Sequence, residues 1–515
     1  MKVNKMLALK VVVLPILLVT LSACGSSRGE SEQDTNPQTE QSDNQLVEDT
    51  NEEESSQNSE TNETVEETNP QSFEDNTTAE EQDTPQDQNV VEQEEDNKTV
   101  VSDCIEVTPL YSFTLVDTNQ QDCYGSMRGA TVECSGTGQD GEFSINPHSY
   151  TFCEEDTVVV DNHTGLMWSA STDTDGVSGI NDDDKMTYDQ GVEYCADLSL
   201  GNYTDWRLPS MKELYSIYLM SGQDLSGLSG ATTPGTSVDY SAYPPFIDTN
   251  YFDVGYGDTS KGERIIDGQY LTSTKNMSRV MRNQAEAFFG VNFVDGHVKA
   301  YEIYEQAYSD ARYYVRCVRG DESYGQNSFK IVDSDTVIDE ATNIMWERSD
   351  HSSSDYADAL DICNDSEVGG YTDWRLPNVK ELQSIVDYTR SPDKTNSPAI
   401  DTDYFNSTEF VNEAGERDWG YYWSSTALLG TSAKGDKGAY ITFGRGLGYD
   451  NGVVDAHGAG AQRSDYKNTT LRDTDNVTEF SVDPSATFGT TAYRKGPQGD
   501  IIRVEHNFVR CMRNN

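Results

Sequence analysis

The chain has 515 residues, of which 90 are acidic and 36 are lysine or arginine, so its formal net charge at pH 7 is −54. A surface this negative disfavours nucleic acid, anionic lipid and polyanionic glycans as partners, because every approach meets long-range repulsion. Nine cysteines in a chain that begins with an export signal indicate disulfide bonds formed in an oxidising compartment.

Residues 1–24 are predicted to be a lipoprotein signal peptide. Lysines precede an apolar run that ends in Leu-Ser-Ala-Cys, a pattern typical of secretory signals rather than of membrane-spanning helices. The ending resembles a bacterial lipobox, so Cys24 is the predicted lipidation site and the lipid is the predicted contact with the membrane. The alternative is an ordinary signal with an unrelated cysteine. Gly25 and Ser26 stand where an aspartate would retain the protein in the inner membrane, which predicts an outer-membrane lipoprotein, periplasmic or surface-exposed.

Residues 25–100 form an acidic linker with 24 acidic and 2 basic side chains and few apolar residues. Such a segment buries too little apolar surface to offset the entropy of ordering, so we expect it to be disordered and self-repelling. Its simplest role is to tether a folded head to the membrane, and acid-driven partner binding is the alternative. Residues 101–155 follow as a small lead-in with four cysteines.

Two copies of one domain are predicted at residues 156–322 and 329–515. YTDWRLPSMKEL at 203–214 returns as YTDWRLPNVKEL at 371–382, with ten of twelve positions identical. The flanking landmarks also recur in the same order, DTVVVDNHTGLMW with DTVIDEATNIMW and YYVRCVRG with HNFVRCMRN. Repetition of this kind indicates tandem domains.

Each copy is predicted to have two helices followed by a strand-rich half, which is an α+β fold. Later segments such as FFGVNFVDGHVKAY are aromatic, branched and broken by glycine, as is typical of strands and turns. The predicted apolar helix faces follow helical spacing: Tyr188, Val192, Cys195, Leu198 and then Leu214, Ile217, Tyr218 in copy one, and Tyr356, Leu360, Cys363 and then Leu382, Ile385, Val386 in copy two.

Four cysteines occupy equivalent positions in the two copies. Cys195 and Cys363 lie in the first helices, and Cys317 and Cys511 lie in the last strands. One bridge per copy, Cys195–Cys317 and Cys363–Cys511, is the economical pairing, and pairing between copies is the alternative. Each bridge would close a loop of more than a hundred residues, worth on the order of 4–5 kcal/mol in the chain-entropy model.

The repeated phrase contains a helix start. Its proline keeps the preceding leucine out of helical geometry, so Ser210 is a predicted N-cap and Glu213 completes a capping box. Asn378 and Glu381 repeat the pattern in copy two with a weaker match to the motif.

The tryptophan and arginine of the phrase have two interpretations. In the structural one, Trp206 and Trp374 plug the core while Arg207 and Arg375 pair with a buried acid or carbonyl. In the functional one, the same four residues form a platform that binds carbohydrate. The capping signal accounts for the spacing and favours the structural interpretation.

An acidic loop between the entry strand and the first helix of copy one is a candidate calcium site. In DTDGVSGINDDD, acids or amides occupy positions 1, 3, 9 and 12 of a twelve-residue calcium loop, namely Asp173, Asp175, Asn181 and Asp184. Val177 and Ser178 depart from that pattern, and a solvated acidic turn is the alternative. Copy two lacks the loop, so the predicted Ca²⁺ is specific to copy one.

One stretch of copy one is locally basic and is the best candidate for contact with an anion. It runs from 261 to 283, and the alternative is a solvated loop. Its basic residues outnumber Glu263 and Asp267, and they are Lys261, Arg264, Lys275, Arg279 and Arg282.

NHTGLMW, YTDWRLPSMKEL, WSST and YVRCVRG resemble the Lcl C-terminal domain family across most of 156–515. The resemblance implies a C-type-lectin-like fold for each copy. VDTNQQDCYG at 116–125 resembles a lead-in found before such tandems, which implies a Cys123–Cys134 bridge and leaves Cys104 for Cys153. Cys104–Cys123 with Cys134–Cys153 stays open as an alternative. The family's namesake is a collagen-like adhesin that binds sulfated glycosaminoglycans, but this chain has no collagen repeat and is too acidic for us to expect heparin-like binding.

We predict that the protein is not an enzyme. The six histidines share no position between the copies, and P-loop and C-x-x-C motifs are absent from the sequence. The predicted function is adhesion or ligand binding at the cell surface, with a glycan or a protein as target. A structural envelope component without a small ligand is the main alternative, and a divergent enzyme on a lectin-like fold is the lesser one.

Overall fold

A computed structural model describes residues 104–126, 129–177, 179–304, 311–431, 434–468, 477–496, 499–503 and 506–515. The predicted signal peptide (1–24), the lipidation site Cys24 and the predicted disordered linker (25–100) lie outside these residues. Over the residues that are described, the longest helices are too short and too polar to cross a bilayer.

The first half of the described chain contains the lead-in and copy one. The lead-in contains a two-stranded hairpin within irregular chain and ends in strand β3, and copy one places two strands before its two helices. The strands are β1 (Cys123–Tyr124), β2 (Thr131–Val132), β3 (Tyr150–Cys153), β4 (Val158–Asp161), β5 (Met167–Ser169), β6 (Gln269–Tyr270), β7 (Ala287–Asn292), β8 (His297–Glu302) and β9 (Val318–Arg319), and the helices are α1 (Tyr188–Asp197) and α2 (Met211–Ser216).

Copy two repeats this order and adds strands near its end. Its helices are α3 (Tyr356–Asn364) and α4 (Val379–Ser384). Its strands are β10 (Phe329–Ile331), β11 (Thr336–Asp339), β12 (Ile344–Glu347), β13 (His351–Ser353), β14 (Glu409–Val411), β15 (Arg417–Trp419), β16 (Tyr421–Leu429), β17 (Lys434–Thr442), β18 (Leu447–Tyr449), β19 (Val453–Asp455), β20 (Gln462–Tyr466), β21 (Thr478–Ser481), β22 (Thr491–Lys495), β23 (Asp500–Ile502), β24 (Asn507–Val509) and β25 (Met512–Asn514).

Each copy closes on itself through a small antiparallel sheet. The order is β3-β4-β5-β9 in copy one and β10-β11-β12-β25 in copy two, so the last strand returns to the entry strands. The predicted α+β class is confirmed by these strands and by the four α-helices of the described residues, two in each copy.

An eight-stranded sheet joins the two copies, in the order β13-β24-β16-β17-β20-β8-β7-β6. The join is antiparallel and pairs Gln462 of β20 with Val298 of β8. These two residues are equivalent, because Val298 pairs with Val291 in copy one and Gln462 pairs with Ile441 at the corresponding point of copy two. The copies are therefore related by an approximate twofold axis through this pair. One core cluster extends across both, from Trp168 and Phe289 to Trp346 and Ile441 (among others).

The first helices begin at side-chain caps and bury one face each. Thr187 caps α1 in a capping box with Gln190, and Tyr356, Leu360 and Cys363 of α3 are buried as predicted. One prediction is wrong, because Val192 is 41% exposed. Gly191 takes the buried position instead, since a side chain there would collide with Leu271 and Val315.

Four disulfides occur among the described residues. Cys195–Cys317 and Cys363–Cys511 each join a first helix to the residue just before a last strand, in agreement with the predicted bridge per copy. The lead-in is closed by Cys123–Cys134 and is tied to β3 by Cys104–Cys153. Of the two open pairings of the lead-in, the structure therefore has the one that the family resemblance implied.

Candidate functional site

The two capping boxes of the repeated phrase are present. The Ser210 hydroxyl accepts the Glu213 N–H at 3.2 Å, and the Glu213 carboxylate accepts the Ser210 N–H at 2.7 Å. Asn378 and Glu381 exchange the same pair of bonds at 2.9 and 2.8 Å. Both helices therefore start where the sequence predicts.

The tryptophans of the phrase are buried, and this contradicts the carbohydrate platform for Trp206 and Trp374. Each is 3% exposed. Their indole N–H groups donate to the backbone carbonyls of Leu200 and Val368 at 3.1 and 2.9 Å. A sugar ring needs an exposed aromatic face to stack on, and these rings have none to offer.

The arginines of the phrase are paired inside it. Arg207 makes a bidentate ion pair with Glu213 (2.8 and 2.6 Å), and Arg375 makes the same pair with Glu381 (2.7 and 2.5 Å). The structural interpretation accounts for both pairs. The Arg207 side chain is 24% exposed whereas that of Arg375 is 7% exposed. The arginine–glutamate pair is therefore more deeply covered in copy two than in copy one.

The lysine of the phrase connects one copy to the other. The Lys212 ammonium donates to the Ser384 carbonyl at 2.8 Å, and the Lys380 ammonium donates to the Ser216 carbonyl at 2.8 Å. Since Lys212 and Lys380 are equivalent, as are Ser216 and Ser384, the two bonds are reciprocal across the twofold axis. Each one satisfies a carbonyl at the C-terminal end of the other copy's helix, where the helix leaves carbonyls without partners. Lys212 has a second carbonyl acceptor, Gly325, at 3.1 Å.

Burial lowers the pKa of Lys380 from 10.5 to about 7. The folded state therefore binds fewer protons than the unfolded state between pH 7 and 10.5, so this lysine makes the free energy of unfolding rise with pH across that window. We expect wild type to gain up to about 1.4 kcal/mol per pH unit relative to Lys380→Met between pH 7.5 and 10. Urea unfolding at several pH values measures the difference.

The control for this experiment is Lys330→Met, because the Lys330 side chain is 67% exposed. Its stability should follow that of wild type at every pH. Parallel pH curves for wild type and Lys380→Met would contradict a buried amine at the contact between the copies.

The acidic loop brings three of its four predicted ligands together. Carboxylate oxygens of Asp173, Asp175 and Asp184 lie within 4.8 Å of one another. The side-chain oxygen of Asn181, the fourth predicted ligand, accepts the Asp183 N–H at 2.9 Å. The buried Asp184 carboxylate already accepts the N–H groups of residues 174 and 181 at 2.7 and 2.8 Å. Residue 178 of the loop lies outside the described residues.

A second cluster of possible ligand atoms, Glu347, His351 and Cys511, does not make a metal site. Cys511 is in the disulfide with Cys363, so its sulfur is not a thiolate. His351 and Glu347 pair with each other, at 2.5 Å from imidazole Nε2 to carboxylate. Their pairing is explained without an ion.

The strand that follows the phrase helix is covered in copy two and open in copy one. Ser425, Thr426 and Ala427 of β16 are fully buried, and the covering chain is the lead-in, whose Gln120 and Asp140 contact them. The equivalent residues of copy one are exposed at Ser273 and Lys275 and half-buried at Thr274.

We call these two surfaces the second-copy edge and the first-copy edge. The second-copy edge consists of Tyr356, Arg375, Thr426, Ala427 and Lys467. The first-copy edge consists of Tyr188, Arg207, Thr274 and Lys275. The lysine of the first-copy edge belongs to the basic stretch 261–283, in which Arg264 and Arg279 are paired with Asp267 and Glu286. No acidic partner of Lys275 occurs among the described residues.

Comparison with known proteins identifies the repeated unit. The model of the Lcl C-terminal domain family matches residues 157–319 and 335–459, which together are more than half of the chain. The chain belongs to the Lcl C-terminal domain family. Searches of curated proteins and of solved structures found no match.

The predicted family is therefore confirmed in both copies. The match to the second Lcl C-terminal domain ends at residue 459, but the chain continues into β20, which pairs with β8 at the join between the domains. It then reaches β25, which pairs with β12 of the small sheet.

Two parts of the site were missed from the sequence. The reciprocal lysines leave one signal in the sequence, since Lys212 and Lys380 recur at the same position of two largely buried Lcl C-terminal domain helices. The docking of the lead-in on the second Lcl C-terminal domain leaves no signal in the sequence, because Gln120 and Ala427 are separated by 307 positions.

Proposed function

We propose that the protein is a ligand-binding or adhesion lipoprotein of the cell envelope, with a glycan or a protein as its target. The observation that carries the proposal is the difference between the two edges. In the second Lcl C-terminal domain, the lead-in hydrogen-bonds Thr426 and Ala427. Within the part of the chain that the structure describes, the lead-in does not cover the equivalent groups of the first domain. Exposed donors on a rigid sheet are suited to binding. No catalytic role is proposed.

The organisation of the chain supports this role. Lipidation at Cys24 would hold the N-terminus at the outer membrane, and the acidic linker would carry the two domains away from it. We propose a C-type-lectin-like fold for each domain. Its support is the return of the last strand to the entry strands and the disulfide from the first helix to that strand.

Binding by intact cells tests this function. A Gram-negative host that produces the full chain would be tested against arrays of glycans and of surface proteins. We expect adhesion to at least one class, because the first-copy edge offers unpaired donors. Lys275→Glu should reduce adhesion about tenfold, and Cys24→Ser should remove it, because a chain without the lipid is not anchored in the outer membrane.

The control for adhesion is Lys330→Glu, which makes the same charge change at an exposed lysine away from the edge. This variant should adhere as wild type does. A correctly exported chain that adheres to neither array would favour the structural envelope component instead.

Calcium at the acidic loop is a second proposal. The donors of Asp173, Asp175 and Asp184 are hard anionic oxygens, the kind that Ca²⁺ prefers, and their mutual repulsion would be relieved by a cation. When bound, the ion would supply positive charge that pins the loop to the start of α1. The backbone bonds of Asp184 fit either an occupied or an empty loop, so the ion has to be tested directly.

We expect Ca²⁺ at ~1 mM, the range of extracellular calcium modules, to raise the melting temperature by a few degrees, because a ligand that binds only the native state stabilises it. Asp175→Ala, at an exposed residue, removes a ligand oxygen and should abolish the shift. Asp361→Ala, which removes an exposed acid of α3, is the control and should keep it. A melting temperature that ignores both Ca²⁺ and chelator would rule the site out.

A further inference from the structure

We propose that the first-copy edge binds a polypeptide segment that carries one acidic side chain close to an amide side chain. The proposal rests on the proposed function and specifies its ligand. The lead-in provides the template, because it makes three kinds of contact with the second-copy edge, and the first-copy edge presents the same three groups without partners.

The two edges are equivalent by strand register. Tyr270 pairs with Val291 and Lys275 pairs with Phe288 in copy one. Tyr422 pairs with Ile441 and Ala427 pairs with Gly438 in copy two. In both copies, the second pair lies five positions further along the first strand and three positions back along the second strand. Lys275 is therefore equivalent to Ala427.

The first group is a threonine hydroxyl. Thr426 accepts the Val379 N–H at 2.9 Å and donates its own proton to the Asp140 carboxylate at 2.6 Å. Thr274 accepts the equivalent Met211 N–H at 2.9 Å. No acceptor for the Thr274 proton occurs among the described residues, so this hydroxyl is ready to donate to a carboxylate.

The second group is a pair of backbone atoms. The Ala427 N–H and C=O both bond the side-chain amide of Gln120, each at 2.8 Å. In copy one, the ladder bonds beside Lys275 are made by its two neighbours, Thr274 and Asn276. The Lys275 N–H and C=O are therefore directed away from β7, and within the described residues they have no partner. An amide group of a ligand can pair with them as an added strand does.

The third group is an ammonium above a tyrosine ring. The Lys467 ammonium lies 4.6 Å from the Tyr356 ring centroid and donates to the Tyr124 carbonyl and the Gln139 side-chain oxygen of the lead-in, at 3.3 and 3.2 Å. The Lys275 ammonium lies 4.8 Å from the centroid of Tyr188, which is the tyrosine equivalent to Tyr356. The two copies thus each place a lysine ammonium against the equivalent tyrosine ring, from different sequence positions.

The charges near the first-copy edge favour a ligand that carries a single acidic residue. Burial raises the pKa of Asp140 to about 7 on the second-copy edge, where the residue beside Thr426 is an alanine. On the first-copy edge that residue is Lys275, whose ammonium favours an ionised carboxylate. Burial and the negative charge of Asp189 both raise the pKa of the adjacent Tyr188, so this edge already carries one acidic neighbour. The whole chain is also strongly negative. One acidic residue is therefore favoured over a run of them.

Selection from a peptide library tests the proposal. Random peptides of about twelve residues, long enough to add a strand, would be displayed on phage and selected on the intact mature chain. We expect enriched sequences to carry Asp or Glu within a few positions of Gln or Asn. Synthetic copies of them should bind about tenfold more weakly to Lys275→Glu and to Thr274→Val.

Two variants should keep wild-type affinity. Thr274→Ser retains the hydroxyl, and Lys330→Glu changes a charge elsewhere. If Thr274→Val does not fold, Lys275→Glu alone decides, because its side chain is exposed. Failure to enrich any peptide, or peptides that bind both edge variants as tightly as wild type, would overturn the proposal. If glycans bind and Lys275→Glu abolishes that binding while no peptide is selected, the polypeptide ligand is wrong and the proposed function stands. If neither class binds, both fail.

Discussion

The contact on which the rest of the structure depends is the antiparallel join of β20 to β8, with one lysine reaching across it from each side. The Gln462–Val298 pair fixes the approximate twofold axis, and Lys212 and Lys380 satisfy the helix-end carbonyls of the opposite copy. Burying an amine is costly unless it is bonded, and the carbonyls of the opposite copy offset that cost where the two copies meet. The two domains therefore form one sheet and one core instead of behaving as independent modules on a string.

This arrangement gives the molecule two equivalent surfaces, of which the lead-in covers one and leaves the other uncovered. The lead-in can cover only one of them, and the disulfide from Cys104 to Cys153 holds it beside the start of copy one while Gln120 and Asp140 reach copy two. The second Lcl C-terminal domain then serves as a support, and the first retains an exposed edge. Under the proposed function, the duplication supplies a rigid frame for one binding edge.

Local features were predictable from the sequence because neighbouring residues determine them. The capping boxes at Ser210 and Asn378 need only a side chain and the third residue after it, and the two intradomain disulfides follow from equivalent cysteines in repeated contexts. The prediction for Val192 failed because helical spacing does not reveal how closely a neighbour approaches, and Leu271 lies so close to position 191 that a larger residue there would have to displace its side chain. The candidate site was least predictable. Its partners are separated by 164 and 172 positions for the lysines and by 307 for Gln120 and Ala427, and no local pattern encodes such contacts.

Hydrogen exchange at single-residue resolution tests most directly whether the second-copy edge is covered by the lead-in while the first-copy edge is open. In the intact mature chain, the Ala427 N–H should be strongly protected because it is bonded to the buried Gln120 side chain. The Lys275 N–H, at the equivalent position, should exchange at close to the rate of an unprotected amide. Comparable protection of the two amides would show that something also covers the first-copy edge, and would contradict an open binding edge on the first Lcl C-terminal domain.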